Sequence, residues 1–178
     1  MVWNRSMTQV CMGFHQVEGA IRSQRCGTLA TLDREGRPHA TEVVYALSPR
    51  STPLMLYVTT RTTTAKAKNI RRDAEVAFVI PVPHRTIALF PPGAVQFQAT
   101  AELVGTNDTA ALAAFQATWF LRRILRAEQR ILAGTDEMCF IAIRPHDTLF
   151  SYGIGMSVPA ILRQPRQAVG RVQLPPGR

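Results

Sequence analysis

With 178 residues, 46% of them hydrophobic and a mean hydropathy of −0.01, the chain is sized for a single globular domain with a sizeable core. No apolar run reaches the roughly 18 residues of a spanning helix, and residues 1–16 hold neither a continuous apolar segment nor a cleavage site. A membrane protein and a secreted precursor are therefore not expected, and a cytoplasmic location is. The formal net charge of +9 favours anionic partners such as phosphates, polyglutamylated cofactors or nucleic acid.

In chain order, residues 1–12 read as a loose N-terminal arm. Phe14 to Arg25 predicts a short helix, with Phe14, Val17 and Ile21 on one side and Gly27 as its stop. Thr28 to Leu32 and Pro38 to Leu47 predict paired strands across an Asp33–Gly36 turn. Two prolines mark Ser48 to Pro53 as a loop. Leu54 to Thr59 and Glu75 to Ile80 predict two more strands, with a helix starting near Thr64 or Ala65 between them. Thr86 to Phe90 predicts a short strand or part of a loop, and Ala94 to Val104 a long strand.

Asn107 or Asp108 can cap one helix running to about Ala133, closed by Gly134. Its apolar stripe would be Leu112, Phe115, Trp119, Ile124, Leu125 and Ile131, and its polar side Arg122, Arg123, Arg126 and Arg130. Met138 to Ile143 predicts a closing strand, and Leu149 to Tyr152 an extension. From Ser157 the chain is rich in Pro and Arg and has no acid, so 157–178 reads as a basic tail, ordered only if it packs on something. That leaves 13–156 as the domain. The order predicts a mainly β (α+β) fold, an antiparallel barrel with peripheral helices.

Cys11, Cys26 and Cys139 share no CxxC, and His15, His39, His84 and His146 share no ligand spacing, so neither a disulfide frame nor a metal site is predicted. No nucleophile-plus-base constellation appears, which argues against hydrolysis. His39 reads as a rim residue, and Lys68, Arg71 and Arg72 as a solvated helix face. The arginines of 122–130 lack interleaved aromatics, so nucleic acid is not the expected partner.

The stretch with the most chemistry is Thr59 to Lys68, TTRTTTAKAK. Five hydroxyls and three cations fall within ten residues, just before a helix. Short donors, free N–H groups and a cation are what a phosphate needs, and a helix N-terminus adds its dipole.

Thr59, Thr60, Thr64, Lys66, then Asn69-Ile70-Arg71-Arg72-Asp73 and Val76 to Ile80 resemble the phosphate loop of the pyridoxamine 5'-phosphate oxidase-like split barrels. Gly27 to Asp33, Gly36, Pro38-His39 and Val43-Val44 are similar to that family's opening hairpin. Val95 to Val104 is similar to its later strand.

The resemblance implies an antiparallel split β-barrel holding FMN or, in a close branch, the deazaflavin coenzyme F-420. It implies an oxidoreductase moving a hydride to or from a small molecule. It also implies a homodimer with the cofactor at the subunit interface, where Arg144, Tyr152 and the Gly153-Ile154-Gly155 turn of a second subunit would complete the site. Thr60, Arg61, Thr64 and Lys66 would hold the phosphate, with Lys66 matching the family lysine, and Thr59 belongs to the same loop. The strand Thr41 to Tyr45 would lie along the ring, with backbone groups of Val43 and Val44 at its edge. Thr41 stands where the oxidase itself has a phosphate-binding arginine, which shifts that task to Arg61 and Lys66. The oxidase's C-terminal Trp-, Arg- and Glu-rich signature is missing between Glu137 and Arg178, so vitamin B6 oxidation is not expected. A non-enzymatic flavin-, haem- or nucleic-acid-binding protein is the alternative outside the enzymes.

Overall fold

Strict alternation lays down the barrel wall. Val76, Phe78 and Ile80 are buried on one side of β5 (Glu75–Val82), and Val95, Phe97, Ala99 and Ala101 on one side of β6 (Gly93–Val104). The residues between them face outward, the period-2 pattern of a sheet with one covered face. The computed structural model describes residues 13–83, 91–135 and 137–175. The arm at 1–12, the element expected at Thr86 to Phe90 and the last residues of the tail, 176–178, lie outside the described residues.

The remaining strands are β1 (Cys26–Leu32), β2 (Pro38–Val44), β3 (Ala46–Leu47), β4 (Leu56–Arg61), β7 (Met138–Pro145), β8 (Thr148–Tyr152) and β9 (Val169–Gln173). They form one antiparallel sheet in the order β2-β1-β5-β6-β7-β4-β3, with β8 joining β6 and β9 joining β8. β2 and β3 stand at opposite ends of that path, yet only Tyr45 separates them in sequence. The extended run 38–47 therefore pairs with β1 through one half and with β4 through the other, which curls the sheet into a split barrel. Tyr45 sits at the joint. Its N–H donates to the Arg25 carbonyl (3.1 Å), its hydroxyl to the Ile21 carbonyl (2.7 Å), and its ring meets Phe78 edge-on.

Two apolar clusters result. Leu29, Val43, Leu56, Val58, Phe78, Phe97, Ile141 and Leu149 fill the barrel, plugged by Val17 and Ile21 of helix α1 (Phe14–Ser23). Outside it, Ala46, Tyr57, Phe140 and Ala142 pack under helices α3 (Thr109–Gln116) and α4 (Trp119–Ile131). No helix of the described residues is long and apolar enough to cross a membrane.

Two expectations are corrected. Gly27 does not stop α1; the helix ends at Gln24, and Gly27 lies inside β1 against the Phe78 ring. The single helix expected from Asn107 to Ala133 is two. Asp108 caps α3 through the Ala111 N–H, the chain turns at Ala117, and Thr118 starts α4 by accepting from the Leu121 N–H. The break rotates the expected stripe, so Trp119 and Ile131 are 68% and 65% exposed and do not join the core. The Pro- and Arg-rich terminal segment does find something to pack on. Helix α5 (Val158–Arg163) and β9 bury Val158, Ile161 and Val172, and β9 pairs along all of β8.

A Cβ on Gly27 would stand 2.5 Å from Phe78 Cε1 and 2.9 Å from the Val79 carbonyl. Since Phe78 is itself wedged between Tyr45 and Phe97, the ring has little room to move. Gly27→Ala is expected to destabilise the fold by about 1–3 kcal/mol, the usual cost of overpacking, read as a lowered midpoint in urea denaturation. An unchanged midpoint would mean that the ring relaxes freely.

Candidate functional site

The Thr-rich segment forms a braced turn between β4 and helix α2 (Ala65–Arg72). Alternation along β4 puts Thr59 on the side of Tyr57 and Thr60 on the side of Val58. Thr60 is buried, and its hydroxyl lies 3.1 Å from that of Thr64. Thr64 is the N-cap of α2. Its hydroxyl donates to the Arg61 carbonyl (2.9 Å) and accepts from the Ala67 N–H (3.4 Å). These two hydroxyls thus hold the turn's shape rather than point out at a ligand. Thr62 N–H donates to the Glu137 carbonyl (2.7 Å), and Arg71 Nη1 donates to the Thr62 carbonyl (3.3 Å), which closes the turn from the far side.

What the turn leaves open is cationic. Lys66 lies in the first turn of α2, half-buried, and makes no hydrogen bond or ion pair among the described residues. Burial lowers its pKa, and the Glu128 carboxylate of α4 acts in the opposite sense. A partly desolvated ammonium that makes no hydrogen bond favours an anion beside it. Arg61, at the exposed end of β4, is likewise unpaired among the described residues. The first N–H groups of α2 are free of partners within the helix, as at any helix start, and their dipole has the same sign.

A network not visible in the sequence fixes α2 to the barrel. The buried Asn69 amide donates to Thr31 Oγ1 on β1 (3.0 Å), and Thr31 in turn donates to the His39 carbonyl on β2 (3.4 Å). Arg72 donates to the Leu32 carbonyl. The turn and the edge strand are thus held by one hydrogen-bonded chain. Asn69 stands in the run that carries the family resemblance, but Thr31 lies 38 residues before it, and no local signal names that partner.

Among the described strands β2 is hydrogen-bonded on one side only. Its register pairs Val43 with Gly27 and Val44 with Cys26, and the Tyr45 N–H bonds back to Arg25. Antiparallel ladders alternate, so Val43, two residues from Tyr45, also spends its backbone groups on β1. The N–H and C=O of Val44 and Glu42 point to the open edge. Of the two valines expected to line a ring edge, only Val44 keeps backbone groups available there. Thr41 is half-buried, opposite Leu29, with its hydroxyl 3.5 Å from His39 Nδ1. Arg144 is exposed on β7 opposite Thr100, and Tyr152 is exposed at the end of β8, before two positive-φ glycines, Gly153 and Gly155.

A curled antiparallel sheet closed by the shared run 38–47 defines the split-barrel class. Residues 14–150 match the profile of the pyridoxamine 5'-phosphate oxidase family, and the chain belongs to that family. No curated protein matches it. Among solved structures it is similar to a haem-binding protein from Mycobacterium smegmatis, with 17% identity and a TM-score of 0.63 over 89% of this chain and 56% of that one. The chain thus spans a little over half of that protein's length. It is similar to HutZ, a haem storage protein from Vibrio cholerae, with 18% identity and a TM-score of 0.60 over 81% of this chain and 98% of that one. A pyridoxamine 5'-phosphate oxidase-related, FMN-binding protein from Nostoc punctiforme shares 16% identity and a TM-score of 0.58, over 91% of this chain and 94% of that one. At such identities these likenesses show the fold.

Thr64 makes a clear test of the turn. Thr64→Ala removes the cap and the contact with Thr60, and is expected to cost about 1 kcal/mol of stability. Thr64→Ser keeps the hydroxyl and is expected to cost much less. Both are read by thermal denaturation, and equal losses would show that the methyl, not the cap, is what matters.

Proposed function

We propose that the protein binds FMN and is a flavin-dependent oxidoreductase acting on a small organic molecule. The observation that carries this reading is the half-buried Lys66 in the first turn of α2, which makes no hydrogen bond or ion pair among the described residues, with Arg61 at the end of β4 just before that helix. The residues present fit a phosphate there: Lys66 and Arg61 neutralise it, and the first N–H groups of α2 donate to it. Thr59, Thr60 and Thr64 shape the turn. Thr41 is too short to replace an arginine, so the phosphate depends on the turn. The open edge of β2 at Val44 lies along the ring and offers backbone donors and acceptors to its polar rim. Bound flavin supplies the hydride chemistry, and the protein holds it and keeps water from one face. A second copy of the chain, presenting Arg144, Tyr152 and the Gly153-Ile154-Gly155 turn, completes the site in a homodimer.

Two other cofactors fit parts of the site. The deazaflavin coenzyme F-420 carries the same phosphate and an acidic tail suited to a chain of net charge +9. Haem is supported by the fold shared with the two haem proteins. Parallel titrations with FMN, riboflavin, the deazaflavin and haem separate these readings. FMN is expected to bind tightest; no binding at about tens of micromolar would sink the flavin reading.

Lys66→Ala is expected to weaken FMN by about 1.5–3 kcal/mol, the worth of a hydrogen bond to a charged group. In dissociation constant that is about tenfold to more than a hundredfold. Riboflavin, which lacks the phosphate, should bind both proteins alike. Lys68 is exposed two positions on, and Lys68→Ala should lose far less. The cofactor-free mutant should be no less stable than wild type, because burial already disfavours the charged lysine. Equal losses at both positions would point to a diffuse basic surface.

A further inference from the structure

A cavity of about 200 Å³, lined by no residue of the phosphate turn, lies between the end of α1, the Tyr45 joint and the α3–α4 elbow. Its wall combines apolar side chains, Leu47, Ala114, Ala117 and Leu121, with the arginines Arg22 and Arg25. The volume is that of about seven waters. Arg22 is largely committed. Its Nε donates to Glu18 Oε1 (2.8 Å) and its Nη1 to the Ser48 carbonyl (2.9 Å). Its Nη2 stands 2.8 Å from Glu18 Oε1, out of line for a hydrogen bond, and is buried with no other acceptor.

Arg25 is different. Its guanidinium lies over the Phe120 ring, 4.7 Å from the centroid, on the first turn of α4. The residue is exposed, and its guanidinium makes no hydrogen bond or ion pair among the described residues. The stack covers one face and orients the planar head, leaving the N–H edge for an acceptor. That edge suits a bidentate carboxylate. Thr118, on the same wall, uses its hydroxyl oxygen as the α4 cap, and its own O–H is left to donate.

We infer that this cavity is a binding site for a small organic monocarboxylate, with the carboxylate on Arg25 and the apolar body against Leu47, Ala114 and Leu121. One carboxylate answers the one guanidinium on the wall that has no acceptor; Arg22 is held by Glu18, which it shares with Arg50. The site does not need a flavin, so it stands or falls separately from the proposed cofactor.

Benzoate is a suitable probe and benzamide its uncharged counterpart, followed by ¹H–¹⁵N NMR on the full chain. Benzoate is expected to shift the Trp119 and Phe120 amides saturably, with a dissociation constant on the order of a millimolar. Benzamide should not. Arg25→Gln should weaken benzoate about tenfold or more, while Arg122→Gln, an α4 arginine that does not line the cavity, should not. Ala117→Leu narrows the cavity from an exposed position and should block benzoate with the fold intact. Equal responses to both probes, no saturation by about 20 mM, or unchanged affinity in Arg25→Gln and Ala117→Leu would each overturn the inference.

Discussion

The structure depends on one stretch of backbone serving two sheet edges. Residues 38–47 pair with β1 and then, past Tyr45, with β4. A β-strand cannot bend sharply without losing ladder hydrogen bonds, and the joint replaces them with side-chain and main-chain bonds to Ile21 and Arg25. The buried Tyr45 hydroxyl, whose ionisation burial strongly disfavours, is a permanent donor there. Closing the sheet buries Phe78, Phe97 and Leu29 together and leaves β2 with an unpaired side. The same constraint that makes the barrel therefore makes an edge available to a ligand.

The Thr-rich turn follows from the closure. β4 ends beside β7, with Thr60 opposite Cys139 and Arg61 opposite Met138. The chain must then climb back to β5 through α2. Asn69 and Arg72 tie that helix to β1, so the start of α2 has a fixed place relative to β2. Two of the five hydroxyls, those of Thr60 and Thr64, are engaged in holding the turn's shape.

The barrel strands were legible because their patterns are local. β5 and β6 alternate cleanly, Asp33–Gly36 carries its positive-φ glycine, and Thr64 and Asp108 are good caps. The misread places each needed a distant partner. Gly27 looks like a helix stop until Phe78, 51 residues later, is seen to occupy the space a side chain would need. The α3–α4 elbow hides in a run with good helix formers on both sides, although Thr118 is itself a capping residue. The terminal segment has too many prolines to read as ordered until β8 offers it an edge. At the site, Lys66 and its turn stood out by composition. The Asn69–Thr31 bond spans 38 residues and the stack of Arg25 on Phe120 spans 95, and neither had a sequence signal.

The described chain also begins and finishes in the same place. Helix α1 packs against β9, and Val17, Ile21 and Val172 share one cluster. In kinetic terms this is a contact of high order: some 150 residues must be spanned before it forms, with the loop entropy that entails. A ribosome-bound nascent chain lacking β9 would leave β8 as a bare edge with Leu149 less protected. The last strand is thus a latch on folding, and the barrel reaches its full core only when the two ends of the described chain have met.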